Sequence, residues 1–555
     1  MGLDKRISCG HGALKTVIRI REIKIPYNQP ELLEGKIRKL LGIGKENFSF
    51  EILKMSFDAR KKPEIYRVYT VDVAIKNEKS KAKLVDKNPN MSFEERKIFN
   101  PLVHDFSAEQ SGDCSGKAEV RNTYDTVICG FGPCGIFAAY ILALNGARPL
   151  VIEQGKPARE RAEDVDKFWK TGLLNPDSNV SFGEGGAGTF SDGKLNTSVK
   201  DPFGYGRFIL ETFMKFGADE NILTDAKPHI GTDVLLSVIP AIRSEIIRLG
   251  GEIRFNTKLT DIDTAAGVLR GITVNGSEKI SCKRLVLAIG HSSRDTFELL
   301  NSKAFILEPK SFAMGFRIEH KQETIDRAMY GKSRDEFLPP SPYKVASTPK
   351  DGRGVYSFCM CPGGYVVNAS TIDGEICVNG MSYRMRDGEN ANSAIVVTVT
   401  PEDFGGEGPL AGVKFQRSIE KKAYDLGNGR IPQQLFSDFK ENKKSEGYGS
   451  INSCLKGQAQ LSNLRGIFSE DINSSFIRGM EFFGRKIKDF DAGDVVLSGV
   501  EGRTSSPVRI LRNEKLEANI KGIYPAGEGA GYAGGIMSAG MDGIKIGLQI
   551  LEDMK

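Results

Sequence analysis

Residues 16–25 (TVIRIREIKI) alternate apolar and charged positions, the period of a half-buried strand. Asn28 and Pro30 then open a short amphipathic helix carrying Leu32, Leu33, Ile37, Leu40 and Leu41, with Gly42 where it stops. Two more strand-like runs follow at 48–57 and 65–75, and the turn between them carries Arg60, Lys61 and Lys62. This β-α-β-β order predicts a small α+β module over residues 1–106. From Lys76 to Asn122 the chain is polar, and its Ser/Gly/Glu-rich stretch at 107–119 reads as a linker, bounded at 107–122.

A different pattern begins at Tyr124. An apolar strand, Thr126–Cys129, runs into Gly130-Phe131-Gly132-Pro133-Cys134-Gly135; a helix over 136–144 and a strand over 149–152 follow, ending at Glu153. Gly130 suits the tight turn, Gly132 lets backbone approach a pyrophosphate, and Gly135 lets helix and strand pack closely. The helix start offers free N–H groups and a positive dipole end to phosphates. Glu153 is placed to accept hydrogen bonds from a ribose diol. With strand, helix, second strand and acid in register, the segment predicts dinucleotide binding.

Further along, Gly231–Gly251 reads as a capped helix, with Thr232 or Asp233 as N-cap and Gly250 beyond its end, leading into a strand over 252–259. Leu259 is expected either to touch an adenine through its backbone or to be purely structural. Arg284–Gly290 (RLVLAIG) is an apolar strand closing on glycine. Near the C-terminus a strand at Gly522–Ala526 meets Gly527-Glu528, then a Gly-rich turn into a helix from about Ile536 to Met554. Strand-like runs at 311–319, 353–359, 364–369 and 394–400 predict a mixed β-rich domain over 305–514, inserted between 123–304 and 515–555 as a cap.

Composition sharpens this picture in three ways. Glycine makes up 62 of 555 residues and clusters at 183–193 and 527–543, where backbone must turn sharply or approach a ligand. Residues 1–87 hold 20 Lys and Arg against 11 Asp and Glu, whereas residues 121–555 are balanced at 54 each, so a basic module is attached to an uncharged body. The longest apolar run, Ile136 to Leu144, falls far short of the about 20 residues a membrane span needs. Early charges at Asp4, Lys5 and Arg6 disfavour a signal peptide, and nine scattered cysteines make no disulfide framework. The expected location is the cytoplasm.

The glycine fingerprint does not separate NAD from FAD, but three features favour FAD. The second Gly-rich stretch, at 527–535, lies too close to the C-terminus for a second nucleotide unit. Its strand, acid and inward helix start suit a flavin. The Arg284–Gly290 strand is similar to the hydrophobic-Ala-Thr-Gly strand of two-domain flavoproteins. The order of these elements resembles the glutathione-reductase-like FAD superfamily. Ser181–Asn196 (SFGEGGAGTFSDGKLN), Phe358–Gly364 (FCMCPGG) and Ala526–Gly540 (AGEGAGYAGGIMSAG) resemble the bacterial family of uncharacterised FAD-dependent dehydrogenases. The resemblance places Gly186, Gly188, Ser191 and Lys194 in a loop against the pyrophosphate and flavin ring. The full expected cofactor set adds Gly130, Gly132, Pro133, Cys134, Gly135, Glu153, Gln154, Arg161, Leu259, Gly290, Gly527, Glu528, Gly534, Gly535 and Ile536. Disulfide reductases of the superfamily carry a redox cysteine pair soon after the acid; between Glu153 and Leu195 this chain has no cysteine, which excludes that chemistry.

Candidate catalytic residues are few. Cys359 and Cys361, at i and i+2, would face the same way on a strand. Beside a flavin one would serve as nucleophile or redox partner if its pKa were lowered; the favoured reading is two small buried hydrophobes at a turn. A metal site is not expected, since CxC supplies only two ligands. His291 follows the apolar strand and is placed to reach the site. His320, with Arg317 in FRIEH, would be a general base beside an anion anchor, or a structural hydrogen-bonder. Cys129 and Cys134 flank the fingerprint as packing residues. The basic module would dock an acidic partner or be simply solvated; a grip on nucleic acid is not favoured.

Together these readings predict an α/β protein. A Rossmann-like FAD-binding domain of glutathione-reductase type carries an inserted mixed β-rich cap and a small α+β, ferredoxin-like, N-terminal module. The expected activity is that of an FAD-dependent oxidoreductase acting on a small molecule by hydride transfer at flavin N5, with NAD(P)H or another electron carrier binding transiently. The alternatives are a flavin-dependent RNA-modifying enzyme and a non-catalytic flavin sensor.

Overall fold

The computed structural model describes residues 16–44, 47–76, 78–95, 98–103, 122–348 and 352–555; the expected linker at 107–119 lies outside them. The molecule is a mixed α/β protein with several sheets. In the N-terminal module, β1 (Thr16–Pro26), β2 (Phe48–Asp58), β3 (Tyr66–Ile75) and β4 (Met91–Glu95) form an antiparallel sheet in the order β2-β3-β1-β4. The helix Leu32–Leu41 buries Leu33, Ile37 and Leu41 in the module's core and ends at Gly42, whose φ of 58° is left-handed. The stretch from Lys76 onward, expected to be polar, contributes the helix Ala82–Lys87 and β4. Each buries one residue, Val85 and Met91. One buried position sets no period.

The basic turn at 60–62 is partly consumed by the fold. Arg60 pairs with Asp58 at 2.8 Å, and Lys62 donates to the Ala328 carbonyl in the cap. The module also meets the nucleotide domain, where the Met55 N–H donates to Thr224 O and the Ala226 N–H donates to Met55 O.

The second sheet runs β7 (Glu252–Arg254), β6 (Leu150–Ile152), β5 (Thr123–Cys129), β10 (Glu278–Leu287), β9 (Val268–Val274), β8 (Leu259–Ala265). Strands β7, β6, β5 and β10 are parallel, and Ile523–Pro525 joins β10 in parallel next to β9. The strand expected at 252–259 is therefore two strands, broken where Asn256 takes a φ of 51°. The helices Pro133–Leu144 and Ile536–Asp553 lie against each other on this sheet. Gly543 permits that crossing, because a Cβ there would stand 2.1 Å from the Cys134 carbonyl oxygen.

The cap is built on a seven-stranded sheet. Its central strands, Phe312–Lys321 and Asn390–Val399, pair antiparallel over ten residues and are buried on both faces. Val496–Glu501 lies on the other side of Phe312–Lys321. That strand, and the helices Ala411–Leu426 and Glu470–Gly484, have no counterpart in the sequence reading. Continuous apolar runs such as VVLSGV carry no alternation to mark a strand. No helix among the described residues is long and apolar enough to cross a membrane.

Candidate cofactor and active site

A cavity of about 350 Å³ opens where β5, β6, β10 and Ile523–Pro525 end, between the nucleotide domain and the cap. The carboxyl ends of parallel strands are where such crevices form. Its floor is Gly130, Gly132, Pro133 and Cys134 after β5, Glu153 and Gln154 after β6, Gly290 and His291 after β10, and Glu528 after the last strand. Gly534, Gly535 and Ile536 bring the start of the C-terminal helix to it. Gly186, Gly188, Ser191, Lys194 and Leu259 complete the set of expected residues that line it.

The glycines divide into two kinds. At Gly130 (φ 103°) a Cβ would meet Ala288 O at 2.4 Å, and at Gly135 it would meet Gly130 O at 1.9 Å. These two are demanded by the fold. At Gly290, Gly534 and Gly535 an added Cβ meets nothing within 4 Å, and at Gly132 only Gly186 Cα at 3.7 Å. Their backbone faces the cavity, leaving a cradle that a side chain would fill. The helix starts at Pro133 and Ile536 have no side-chain cap, so their N–H groups and dipoles point at this space. Such a cradle fits a pyrophosphate-linked dinucleotide.

Four expected cofactor residues act otherwise. The Glu153 carboxylate, expected to meet a ribose, accepts backbone N–H groups of Phe131, Gly155 and Gly183, each at 2.9 Å. It stitches the fingerprint turn to the 183 loop while still touching the cavity. Arg161 does not line the cavity. Its guanidinium is fully buried and donates to the carbonyls of Asn179, Val180, Gly183, Glu184 and Gly186, and burial pulls its pKa down to about 10. Gly135 serves packing, as above. Gly527 (φ 69°) is set back too, with its N–H donating to Asp542 at 2.8 Å.

Of the expected catalytic residues, His291 and Cys359 line the cavity. His291 Nδ1 stands 3.3 Å from Glu528 Oε1. His320 does not reach it: the ring is buried in the cap, Nε2 pairs with Phe490 O at 2.8 Å, and burial lowers its pKa to about 4. Arg317, expected to anchor a substrate anion, is fully buried and spent on Glu501 (2.9 Å), Asn392 and the Cys359 carbonyl. The pairing of His320 with Arg317 as base and anchor is therefore set aside. They are near in sequence but on opposite faces of one strand.

The cap wall holds what the sequence did not reveal. The strand Val355–Cys361 loses register between Phe358 and Cys361, and Cys359 there takes a left-handed φ of 44°. Such a kink re-aims a side chain. Cys359 is half-buried at the cavity and Cys361 is buried behind it. Lys194 Nζ lies 3.9 Å from both sulfurs and 3.3 Å from Asp192 Oδ2. Asp192 also binds Arg386; against the opposing effect of burial, the two cations hold its carboxyl at about 2. Cys361 Sγ donates to the Cys359 carbonyl at 3.3 Å; the neighbouring Cys361 thiol, Lys194 and Arg317 draw the Cys359 pKa well below the ordinary thiol value. Burial and the adjoining Cys359 push Cys361 well above it. Glu501 lines the cavity, and burial raises its carboxyl to about 7 against the pull of Arg317.

Beside the cavity, Glu420 of the cap accepts from Arg294, which follows β10, and from Arg503 at 2.7–2.9 Å. Arg294 also pairs with Glu375 at 2.7 Å. This buried cluster ties cap to nucleotide domain. Among the described residues no group of three or more His, Cys, Asp or Glu is arranged to hold a metal ion.

A family model described as "FAD-dependent protein, C-terminal domain-like" matches residues 311–504, and a domain of unknown function matches residues 17–74. An uncharacterized protein of Clostridium beijerinckii is 45% identical over 543 residues, covering 96% of this chain and 98% of that one. Among solved structures, glycine oxidase from Bacillus cereus matches at 12% identity with a TM-score of 0.33, covering 77% of this chain and 97% of that chain. L-proline dehydrogenase from P. horikoshii matches at 12% identity with a TM-score of 0.34, covering 78% and 95%.

Proposed function

The chain belongs to the same family as the uncharacterized Clostridium beijerinckii protein, and its residues 311–504 match a model of FAD-dependent proteins; from that premise we propose that it is an FAD-dependent oxidoreductase acting on a small molecule. The observation that carries the reading is the glycine-faced cradle between two uncapped helix starts, opening on a cavity walled by titratable cap residues.

Bound FAD supplies a two-electron, hydride-accepting centre at its N5. The chain's part is to hold and orient. The Gly130–Pro133 turn admits a pyrophosphate against the first helix start. Gly534–Ile536 bring the uncapped start of the C-terminal helix to the cavity, where its N–H groups and dipole would offset negative charge on a bound flavin. From the cap, Asn379 and Glu501 present polar groups to a substrate entering the same cavity. Glu501 is the acid suited to hold or release a proton near neutral pH, and His291, 3.3 Å from Glu528, lines the same cavity. NAD(P)H as reductant would bind transiently in the cap cleft.

The purified protein is expected to be yellow and to release FAD, not FMN, on denaturation. Release of FMN, or a folded and colourless protein that takes up no added FAD, would overturn the reading.

A further inference from the structure

We propose that Cys359 and Cys361 form a dithiol–disulfide couple opening on the cofactor cavity, with Cys359 the attacking thiolate, Cys361 the resolving thiol and a disulfide as substrate. Absence of cysteine between Glu153 and Leu195 excluded a redox pair beside the second strand; the cap supplies one from elsewhere. Three observations support it. Cys359 lines the cavity and is partly exposed, whereas Cys361 is buried directly behind it. One ammonium, Lys194, stands 3.9 Å from both sulfurs. Arg317 fixes the Cys359 carbonyl at 2.9 and 3.1 Å and so holds the kinked backbone. Packing alone explains none of these: a small buried hydrophobe needs neither a cation nor a left-handed backbone.

The span is also suitable. Residues i and i+2 of an extended strand lie about 6.6 Å apart at Cα, within the about 4.4–6.8 Å that disulfides bridge. The charged groups around Cys359 are Lys194 and Asp192 from the nucleotide domain and Arg317 and Glu501 from the cap sheet, with Cys361 on its own strand. Two cations, one of them 3.9 Å from the sulfur, stand against one carboxylate already bound to Arg386 and one that burial keeps largely protonated below pH 7. The balance favours thiolate at Cys359.

In the reaction, Cys359 S⁻ attacks one sulfur of R–S–S–R′, breaking that bond and releasing RS⁻. Cys361 then gives up its proton and attacks Cys359 Sγ, releasing R′S⁻ and forming the Cys359–Cys361 bond. The Cys361 proton and one proton from solvent, equivalent to the one Cys359 had already given up, end on RSH and R′SH, and two electrons have passed from the protein to the substrate. Return to the dithiol takes two electrons and two protons from reduced FAD; only this half rests on the flavoprotein reading.

The test uses the purified full-length protein and 5,5′-dithiobis(2-nitrobenzoate) as the disulfide. Wild type is expected to release two thionitrobenzoates per couple and keep none, with peptide mass mapping finding Cys359 joined to Cys361. Cys361→Ser should keep one on Cys359. Dithionite titration of the oxidised wild type should then consume four electrons per FAD, and two in either single Ser variant that has not been treated with the reagent. A stable wild-type adduct with no cross-link, or two electrons per FAD after oxidation, overturns the couple while leaving the flavoprotein reading intact. A cross-link formed in protein that binds no FAD supports the couple and fells the flavoprotein reading alone.

Discussion

Lys194 Nζ lies 3.9 Å from Cys359 Sγ, although 165 residues separate them in the chain. The lysine comes from the glycine loop of the nucleotide domain and the thiol from a kinked cap strand, so this contact exists only when the cap is seated. Replacing the ammonium with a neutral chain of similar length removes the cation that favours thiolate. Lys194→Met is expected to raise the pH at which Cys359 reacts with iodoacetamide. Alkylation near pH 7 should slow about tenfold for every pH unit by which that midpoint rises. Rates above the new midpoint should converge with wild type, and Lys194→Arg should restore the neutral rate. Unchanged pH profiles in Lys194→Met would assign the lysine to Asp192 alone.

The two kinds of fingerprint glycine should separate by substitution. Gly132→Val places its branches in the cradle, where the nearest atom to a Cβ is Gly186 Cα at 3.7 Å. The protein should fold with near-normal thermal stability and bind no flavin. Gly135→Ala instead drives a methyl to 1.9 Å from Gly130 O. A loss of about 3 kcal/mol or more is expected there, read as a lowered urea midpoint. Equal losses of stability in both variants would contradict the division.

The nucleotide unit was legible because its requirements are local: Gly130, Gly132, Gly135 and Glu153 fall within 24 consecutive residues. The β-α-β-β start was legible for the same reason. What escaped depends on tertiary placement. Glu501 ends a strand with no alternation, and its raised pKa comes from burial that no spacing reveals. Arg161 was expected among the cofactor residues, yet five backbone carbonyls absorb it, a burial that charged side chains seldom undergo and no local spacing reveals. His320 and Arg317 looked like partners because they are three apart, and a strand sends such residues to opposite faces.

The Arg294–Glu420–Arg503 cluster gives the cap a single point of failure. Glu420 is fully buried, and its two arginines hold its carboxyl at about 2 against desolvation. Glu420→Gln removes the charge and leaves two guanidiniums with one buried acid, Glu375, near them. Breaking such a pair costs about 3–5 kcal/mol. The variant is expected to be cleaved faster by trypsin within the cap and to lose flavin on dilution. Wild-type cleavage and flavin retention would show that the apolar interface holds the cap unaided.

His320 should leave a mark on acid stability. Its neutral ring donates from Nε2–H to Phe490 O, while Nδ1 has no partner, so a second proton would be buried without an acceptor. Burial therefore lowers the folded pKa from 6.5 to about 4, with Asp494 too weak a counterweight to restore it. The unfolded chain takes up that proton near pH 6.5 and the folded one only near pH 4. Between these values the unfolded state binds more protons, so stability falls as pH falls, by about 3 kcal/mol across the window. No such penalty applies above pH 6.5. His320→Gln keeps a donor near Phe490 O but cannot titrate. It should be less stable than wild type at pH 7 through imperfect packing against Phe490 and Tyr343. Urea midpoints measured from pH 7 to pH 4 should show that deficit shrinking as wild type loses stability and the variant loses less. Parallel curves would mean that other groups carry the acid limb.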